Sequence, residues 1–326
     1  MSTEAPAGPD TGSVTPLRQH PGEDTPLVSP FAGGGLFDVF RRRYLLRLIV
    51  GKEIQSRYQG SLLGLLWSYV QPLVRFVMYF FVIGLVLGLH KTTPNFAIHM
   101  FAALVGVHFF TETFSSGTRS IVRNKAIVRK MAMPREMFPV AAVIVSAINS
   151  FPQLLILMIG SVAVGWTPDP GAILAAVLGL AILTVLGTAL ALLFSAMNVF
   201  FKDFQNIVQT LQLFTHWIVP MIYPFAKIAG SRFAGTWVLT LYLLNPLTIG
   251  VLLLQRAFWV PTIPACGPDV KVDVCLPDGK ASNIGYPDMP HHLFVHGFVM
   301  LAASLVVLVF CQIAFSRLEN KFAERL

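Results

Sequence analysis

Residues 36–72 read LFDVFRRRYLLRLIVGKEIQSRYQGSLLGLLWSYVQP, and this stretch decides the fold. Its first half alternates apolar and basic side chains at helical spacing. The apolar ones are Phe37, Phe40, Tyr44, Leu48 and Ile49, and the basic ones are Arg41, Arg42, Arg43 and Arg47. A helix with this pattern lies along a membrane surface, with its rings toward the acyl chains and its guanidinium groups toward anionic headgroups. An almost wholly apolar run begins at Leu62. Residues 36–59 are therefore predicted to form an amphipathic interface helix that leads into a first membrane span.

The composition indicates an all-α integral membrane protein. Of 326 residues, 55% are hydrophobic and 12% are charged, whereas soluble chains carry about a quarter charged residues. The net charge of +8 would also suit a nucleic-acid partner. However, the cations stand in blocks beside the apolar runs, as topology signals do, so no nucleic acid is expected. Residues 1–35 are rich in Pro, Gly, Thr and acids and lack the apolar core of a signal peptide, which predicts a disordered cytoplasmic tail.

Six apolar runs are long enough to cross a bilayer, which takes about 20 residues per helix. The predicted spans are residues 62–89, 96–118, 137–164, 173–199, 204–223 and 293–315. Six Lys or Arg residues stand between Arg41 and Arg57 before the first span, six follow the second span and three follow the last. The links after spans one and three together hold only Lys91. By the positive-inside rule, both termini are cytoplasmic. Residues 36–326 then form one multi-pass domain.

Residues 235–258 are also apolar, but they are predicted to form a re-entrant helix pair. Asn245 and Pro246 break the run into two halves of about ten residues, and each half is too short to cross. A full crossing would also place the basic tail outside. Re-entrant backbone is tolerated where protein or a water-filled cavity surrounds it.

The order of residues in the opening stretch resembles the permease subunits of polysaccharide ABC exporters, the branch that moves O-antigen, teichoic acid and galactan. The resemblance rests on a basic-aromatic step, a Ser, a Leu-Gly, a Trp and a Pro. Here these are Arg57, Tyr58, Ser61, Leu63, Gly64, Trp67 and Pro72. It extends over nearly all of 36–326 and implies the type-2 ABC exporter permease fold. The Pro- and Gly-rich tail and the loop containing Cys266 and Cys275 look closest to the mycobacterial galactan exporters.

This resemblance implies a permease rather than an enzyme. No GxxxxGK[ST] loop is present, so ATP and magnesium would be bound by a separate nucleotide-binding ATPase subunit, in two copies. The segment NKAIVRKMAMPREMF resembles the family's coupling helix. The family would place six residues at the contact with the ATPase: Ile127, Arg129, Lys130, Met133, Pro134 and Arg135. A basic loop that only sets the topology is the alternative.

The resemblance also suggests a cargo, which is a polysaccharide linked to a lipid pyrophosphate. Because cations near the headgroup plane attract anionic groups by about 1 kcal/mol each, we expect the basic residues of the entrance to attract the pyrophosphate. These are Arg41, Arg42, Arg43, Arg47, Lys52 and Arg57. Attraction to bulk anionic membrane lipids is the alternative. Six spans are few for a polymer-sized pore, so a homodimer around a central channel is expected.

Aromatic residues crowd the first, second and fifth predicted spans. Most are expected to face lipid or to form interfacial belts. The family is known for aromatic rings that line its channel, where flat faces can hold the C–H faces of sugars. Tyr69, Phe76, Tyr79 and Trp217 are the candidates for this channel lining.

Several polar residues have competing interpretations. Cys266 and Cys275 are separated by eight residues in a predicted outer loop, where a disulfide between them is expected, with two free thiols as the alternative. His108 and Glu112 share a helical face, and Arg75 is predicted to pair with Glu112 between spans one and two, with proton relay as the alternative. No third ligand accompanies His292 and His296, so no metal is expected.

Two other functions fit parts of this pattern. An ABC permease for a drug or a lipid would have the same fold, but the aromatic density favours sugars. A membrane-integral glycosyl or prenyl transferase needs clustered acids with a metal, whereas Asp203 stands alone beside Lys202 in its turn. A bacterial inner-membrane exporter permease is the prediction.

Overall fold

The computed structural model describes residues 35–60, 64–91, 93–131, 133–229, 236–263, 289–319 and 321–322. In these ranges, the longer regular elements are all α-helices, as predicted. They are α1 (Gly35–Arg41), α2 (Arg43–Tyr58), α3 (Trp67–Tyr79), α4 (Phe96–Arg123), α5 (Lys125–Lys130), α6 (Met137–Ala163), α7 (Pro170–Phe200), α8 (Phe204–Ile218), α9 (Phe225–Ala229), α10 (Trp237–Leu243), α11 (Pro246–Phe258) and α12 (Leu293–Glu319). The predicted tail and both cysteines of the predicted outer loop, Cys266 and Cys275, lie outside the described residues.

Five helical segments in the described ranges are long and apolar enough to cross a membrane. They are α4, α6, α7, α12 and the continuous run Trp67–Val86, in which a π-helical segment (Phe80–Val86) extends α3. They correspond to five of the six predicted spans. The prediction for residues 204–223 is longer than the helix that forms there. Helix α8 has 15 residues, which is about 22 Å, and it ends before Pro220, whose ring cannot continue a helix.

Helix α4 is the centre of the bundle. It packs against α6, α7, α8 and α11, and most of its side chains are buried. Small residues allow its close approach to α7, since a Cβ added at Gly117 would lie 2.3 Å from the Ala191 Cβ. Because lipid tails are as apolar as the helices, close packing of small residues is a main source of helix association in membranes.

The two ends of the bundle differ in charge. We call the end that carries α2, α5 and Glu319 the basic end. The other end, which carries Asn95, Asp169 and the segment after α11, is the opposite end. At the basic end, a buried apolar cluster joins α2, α6 and α12 through Ile49, Met137 and Phe315.

Helices α10 and α11 are bent by 73° relative to one another at the Asn245–Pro246 break. The segment after α11 is attached to the opposite end, because the Trp259 indole N–H donates to the Pro94 carbonyl at 2.7 Å. Near the same end, Gln255 donates to the carbonyl of Pro220, just after α8, at 2.8 Å. Helix α11 has 13 residues, about 20 Å. These contacts place the end of α8 and the end of α11 on one side, which favours a re-entrant pair over a crossing.

Candidate transport cavity

Two cavities lie side by side at the centre of the bundle. The α3–α6 cavity has a volume of about 420 Å³ and is bounded by α2, α3, α4 and α6. The α3–α8 cavity has a volume of about 470 Å³ and is bounded by α3, α4 and α8. Arg75, His108 and Glu112 line both. Their volumes fall within the range of small-molecule sites, roughly 300–1,000 Å³.

A polar stripe on α4 connects these cavities to the basic end. His108, Glu112, Ser116, Arg119 and Arg123 follow one another at intervals of three or four residues, which places them on one face of the helix. The last four line a further cavity of about 370 Å³ against α2. A hydrophilic path therefore runs along α4 from the basic end into the bundle.

The ion pair at the centre of this path differs from the predicted one. Glu112 accepts a hydrogen bond from Arg57 at 2.6 Å, whereas the sequence predicted Arg75 as its partner. Arg57 reaches Glu112 because the end of α2 lies beside α4. The sequence shows which residues share a face within one helix, but not which neighbouring helix supplies a partner. Both residues of this pair line the α3–α6 cavity.

Two side chains of α6 form hydrogen bonds with other residues that line the α3–α6 cavity. Tyr58 donates to the Asn149 side-chain oxygen at 2.8 Å, and its hydroxyl also lies 2.6 Å from that of Ser68. One turn further along α6, the Gln153 side-chain nitrogen lies 2.9 Å from Nδ1 of His108. Asn149 and Gln153 were not among the predicted site residues. Two polar residues one turn apart in an apolar span were the available signal.

The structure brings two of the four predicted channel aromatics together. Tyr79 and Trp217 both line the α3–α8 cavity, and Trp217 is 69% exposed. Phe76 instead packs edge-on against Phe101, with ring centroids 4.8 Å apart. Tyr69 is half-buried and is not among the residues that line these two cavities.

The six basic residues predicted at the entrance fall into two groups. The side chains of Arg41, Arg42, Arg43 and Arg47 are exposed on α1, α2 and the break between them, and Arg42 pairs with Asp38 at 3.1 Å. Phe37, Phe40, Tyr44 and Leu48 are exposed beside them, whereas Ile49, which was predicted on the same membrane-facing side, is buried in the bundle. Lys52 and Arg57 have partners inside the chain, since Lys52 donates to the Asn124 side chain at 2.6 Å and Arg57 pairs with Glu112.

A polar joint connects the interface helix to the junction of α4 and α5. Buried Glu53 of α2 accepts hydrogen bonds from the Asn124 side chain at 2.7 Å and from Arg123. Asn124 also accepts from Lys52. These residues therefore join α2 to the start of α5.

The predicted coupling residues also divide into two groups. Arg129 and Lys130 are exposed on α5, and Ile127 is half-buried. Met133, Pro134 and Arg135 are buried. Arg135 donates to the backbone oxygen of Glu319 and lies with its guanidinium carbon 5.5 Å from the centre of the Phe322 ring. Arg135 therefore contacts the end of α12 and the Phe322 ring in its own chain, and its side chain is buried there.

The ABC-2 type transporter model matches residues 44–259, which contain both cavities. The chain belongs to the ABC-2 transporter family. It is 27% identical over 231 residues to the O-antigen export system permease protein RfbA of Myxococcus xanthus, an alignment that covers 71% of this chain and 86% of that one. Two Klebsiella pneumoniae proteins with the same name are 26% identical over 234 residues and 23% identical over 295 residues. The two Klebsiella alignments cover 71% and 89% of this chain, and 83% and 96% of the respective relatives.

These findings confirm the predicted resemblance to permeases of polysaccharide exporters. This ABC-2 transporter is a permease and not an enzyme. Its family and its apolar helices make it a multi-pass inner-membrane protein. An ABC-2 permease pairs with an ATPase subunit, and the exposed surface of α5 is available for such a contact.

Proposed function

We propose that this permease exports a polysaccharide across the inner membrane, driven by ATP hydrolysis on its partner subunit. The observation that carries the proposal is the α3–α8 cavity. Tyr79 and Trp217 bring aromatic rings to its wall, and Gln209, Gln212 and His216 bring hydrogen-bonding groups. Sugars present apolar C–H faces and hydroxyl groups, and this wall suits both. The relatives' names, O-antigen export permeases, point to the same class of cargo.

The cargo proposed is a galactan-like polymer linked to a lipid pyrophosphate. The amphipathic surface of α1 and α2 supports a lipid-borne cargo, because its exposed arginines and rings lie where headgroups meet acyl chains. Arg41, Arg43 and Arg47 are exposed there and have no ion pair with a described residue. They would attract the pyrophosphate before the sugar chain reaches the cavities.

The working unit proposed is a homodimer with two ATPase subunits, which hold ATP and magnesium. Apolar residues of α3 and α8, such as Val77, Phe214 and Trp217, are exposed, and these would contact a second copy. A second copy would complete the wall. The ATPase would contact Arg129 and Lys130 on α5 from the cytoplasm, which places the basic end and both termini there.

Substituting the cavity aromatics tests this proposal. Tyr79→Ala with Trp217→Ala is expected to leave polymer inside the cell while the complex with the ATPase still assembles. Phe310→Ala is the control, because Phe310 is 68% exposed on α12 and lines neither cavity. Purification through a tag on the permease should recover the ATPase at equal stoichiometry. Normal surface polymer in the double variant, or an isolated permease without an ATPase, would contradict the proposal.

A further inference from the structure

We infer that Arg75 forms an anion site in the middle of the membrane, which holds a phosphate ester as it passes between the two cavities. This inference rests on the proposed function, because it concerns the charged end of the same cargo. Arg75 lies eight residues into the 20-residue span Trp67–Val86, about 12 Å from its start. Its side chain lines both cavities.

Arg75 has neither an ion pair nor a hydrogen bond with any residue that the structure describes. Glu112, the acidic residue that lines the same cavities, forms its ion pair with Arg57 at 2.6 Å. An arginine at the centre of a bilayer costs at least about 2.5 kcal/mol on insertion scales, so such residues usually line a water-filled path and serve a function. Arg75 lines both of the cavities described above.

The charges around the two cavities favour an anion. Apart from two histidines, the charged side chains among the described lining residues are Arg57, Arg75 and Glu112. Arg57 and Glu112 neutralise each other, so the charge of Arg75 is left uncompensated. An anion that crosses the low-dielectric centre of the membrane needs a counter-charge there, and Arg75 supplies one at that depth.

The chemistry of arginine points to a phosphate ester. A guanidinium group binds two oxygens of a phosphate at once, through parallel N–H···O bonds. Two sources offer this group, the pyrophosphate of a lipid-linked cargo and the headgroup of a membrane phospholipid. Hydrogen-bonding side chains on both sides, Gln71 in the α3–α6 cavity and Gln212 in the α3–α8 cavity, can contact the same phosphate or the first sugar attached to it.

The test uses the complete complex of permease and ATPase in vesicles. In the first arm, the vesicles are zwitterionic and contain a polyprenyl diphosphate-linked disaccharide, and the measurement is its stimulation of ATP hydrolysis. Arg75→Gln should raise the half-maximal concentration about tenfold, the loss expected for one charged hydrogen-bonding partner. Arg75→Lys should retain part of the response, because it keeps the charge without the bidentate geometry. Arg317→Gln, an exposed arginine at the end of α12, is the matched control.

The second arm replaces the glycolipid with phosphatidylglycerol in the vesicle and distinguishes the two sources. A change in the first arm assigns the site to the cargo, and a change in the second alone assigns it to a phospholipid headgroup. Unchanged responses in both arms would overturn the inference. If the wild-type complex ignores the glycolipid, the proposed function fails, while the second arm still tests the anion site.

Thermal unfolding separates binding from a structural role. An unpaired arginine contributes no ion pair to the folded state, so Arg75→Gln should unfold at the same temperature as the wild type or higher. A lower unfolding temperature that Arg75→Lys restores would show that Arg75 stabilises the bundle instead, and would also overturn the inference.

Discussion

Asp169 illustrates how one side chain can fix two elements. Its carboxylate caps α7 by accepting from the Ala172 backbone N–H at 3.1 Å. It also receives two hydrogen bonds from Arg256 of α11, at 3.2 and 2.9 Å. The hydrogen bond from Arg256 holds the pKa of Asp169 below its usual value. The start of α7 is thereby attached to α11.

This lowered pKa predicts how the stability depends on pH. Since the folded state favours the ionised carboxylate, the stabilisation is complete above the unfolded pKa of about 3.9 and is lost as the pH falls through the lower, folded pKa. Asp169→Asn keeps a good capping residue and removes the charge. Its unfolding temperature in detergent should be lower than that of the wild type at neutral pH, and the difference should shrink below about pH 4. A difference that is constant with pH would contradict this assignment.

Individual residues also show which features could be predicted from the sequence and which could not. The basic and aromatic composition of α1 and α2 was sufficient to predict an amphipathic surface, because burial there follows the helical period. The partner of Glu112 was not predictable, since it depends on where the end of α2 meets α4. Arg135 appeared exposed in a basic segment, yet it is buried at the end of α12. Pairings between helices depend on packing that no spacing within one helix reveals.

At the scale of helices, the contact between α4 and α7 is the closest part of the packing described above. A Cβ at Gly117 would lie 2.3 Å from the Ala191 Cβ and 3.1 Å from its Cα, so the helices would have to separate. Gly117→Ala should therefore destabilise the protein by about 1–3 kcal/mol, measured by unfolding in mixed micelles. Gly51→Ala on α2 is the control, because no atom lies within 4 Å of its added Cβ, and it should stabilise the helix by up to about 1 kcal/mol.

Equal stability of the two glycine variants would contradict this account of the packing.

The helices themselves were largely predictable, because apolar length and the Asn245–Pro246 break are local properties of the sequence. The length of α8 was not, since hydropathy continued through Val219–Tyr223 although the helix ended at Ile218. Hydropathy indicates whether a segment suits an apolar environment, but it does not show that the ring of Pro220 prevents the helix from continuing.

At the scale of the whole molecule, the side of the membrane that each end of the bundle faces depends on the orientation of the chain in the membrane. Among the described residues, the basic end carries most of the Lys and Arg side chains, and the positive-inside rule predicts that this end lies in the cytoplasm. The contact of the segment after α11 with Pro94, and the contact of α11 with Asp169 just before α7, would then lie on the outer side. With this predicted orientation, the entrance residues and α5 would face the compartment that contains ATP.

Labelling of single cysteines tests this orientation. In a background with the three natural cysteines replaced by Ser, Thr167→Cys should react with a membrane-impermeant maleimide in intact cells, because Thr167 is exposed at the opposite end. Arg317→Cys, exposed at the basic end, should react only after the membrane is opened. The reverse pattern would place α5 outside, away from any ATPase, and would contradict export driven from the cytoplasm. Labelling of both sites in intact cells would point to leaky cells, which a cytoplasmic marker enzyme detects.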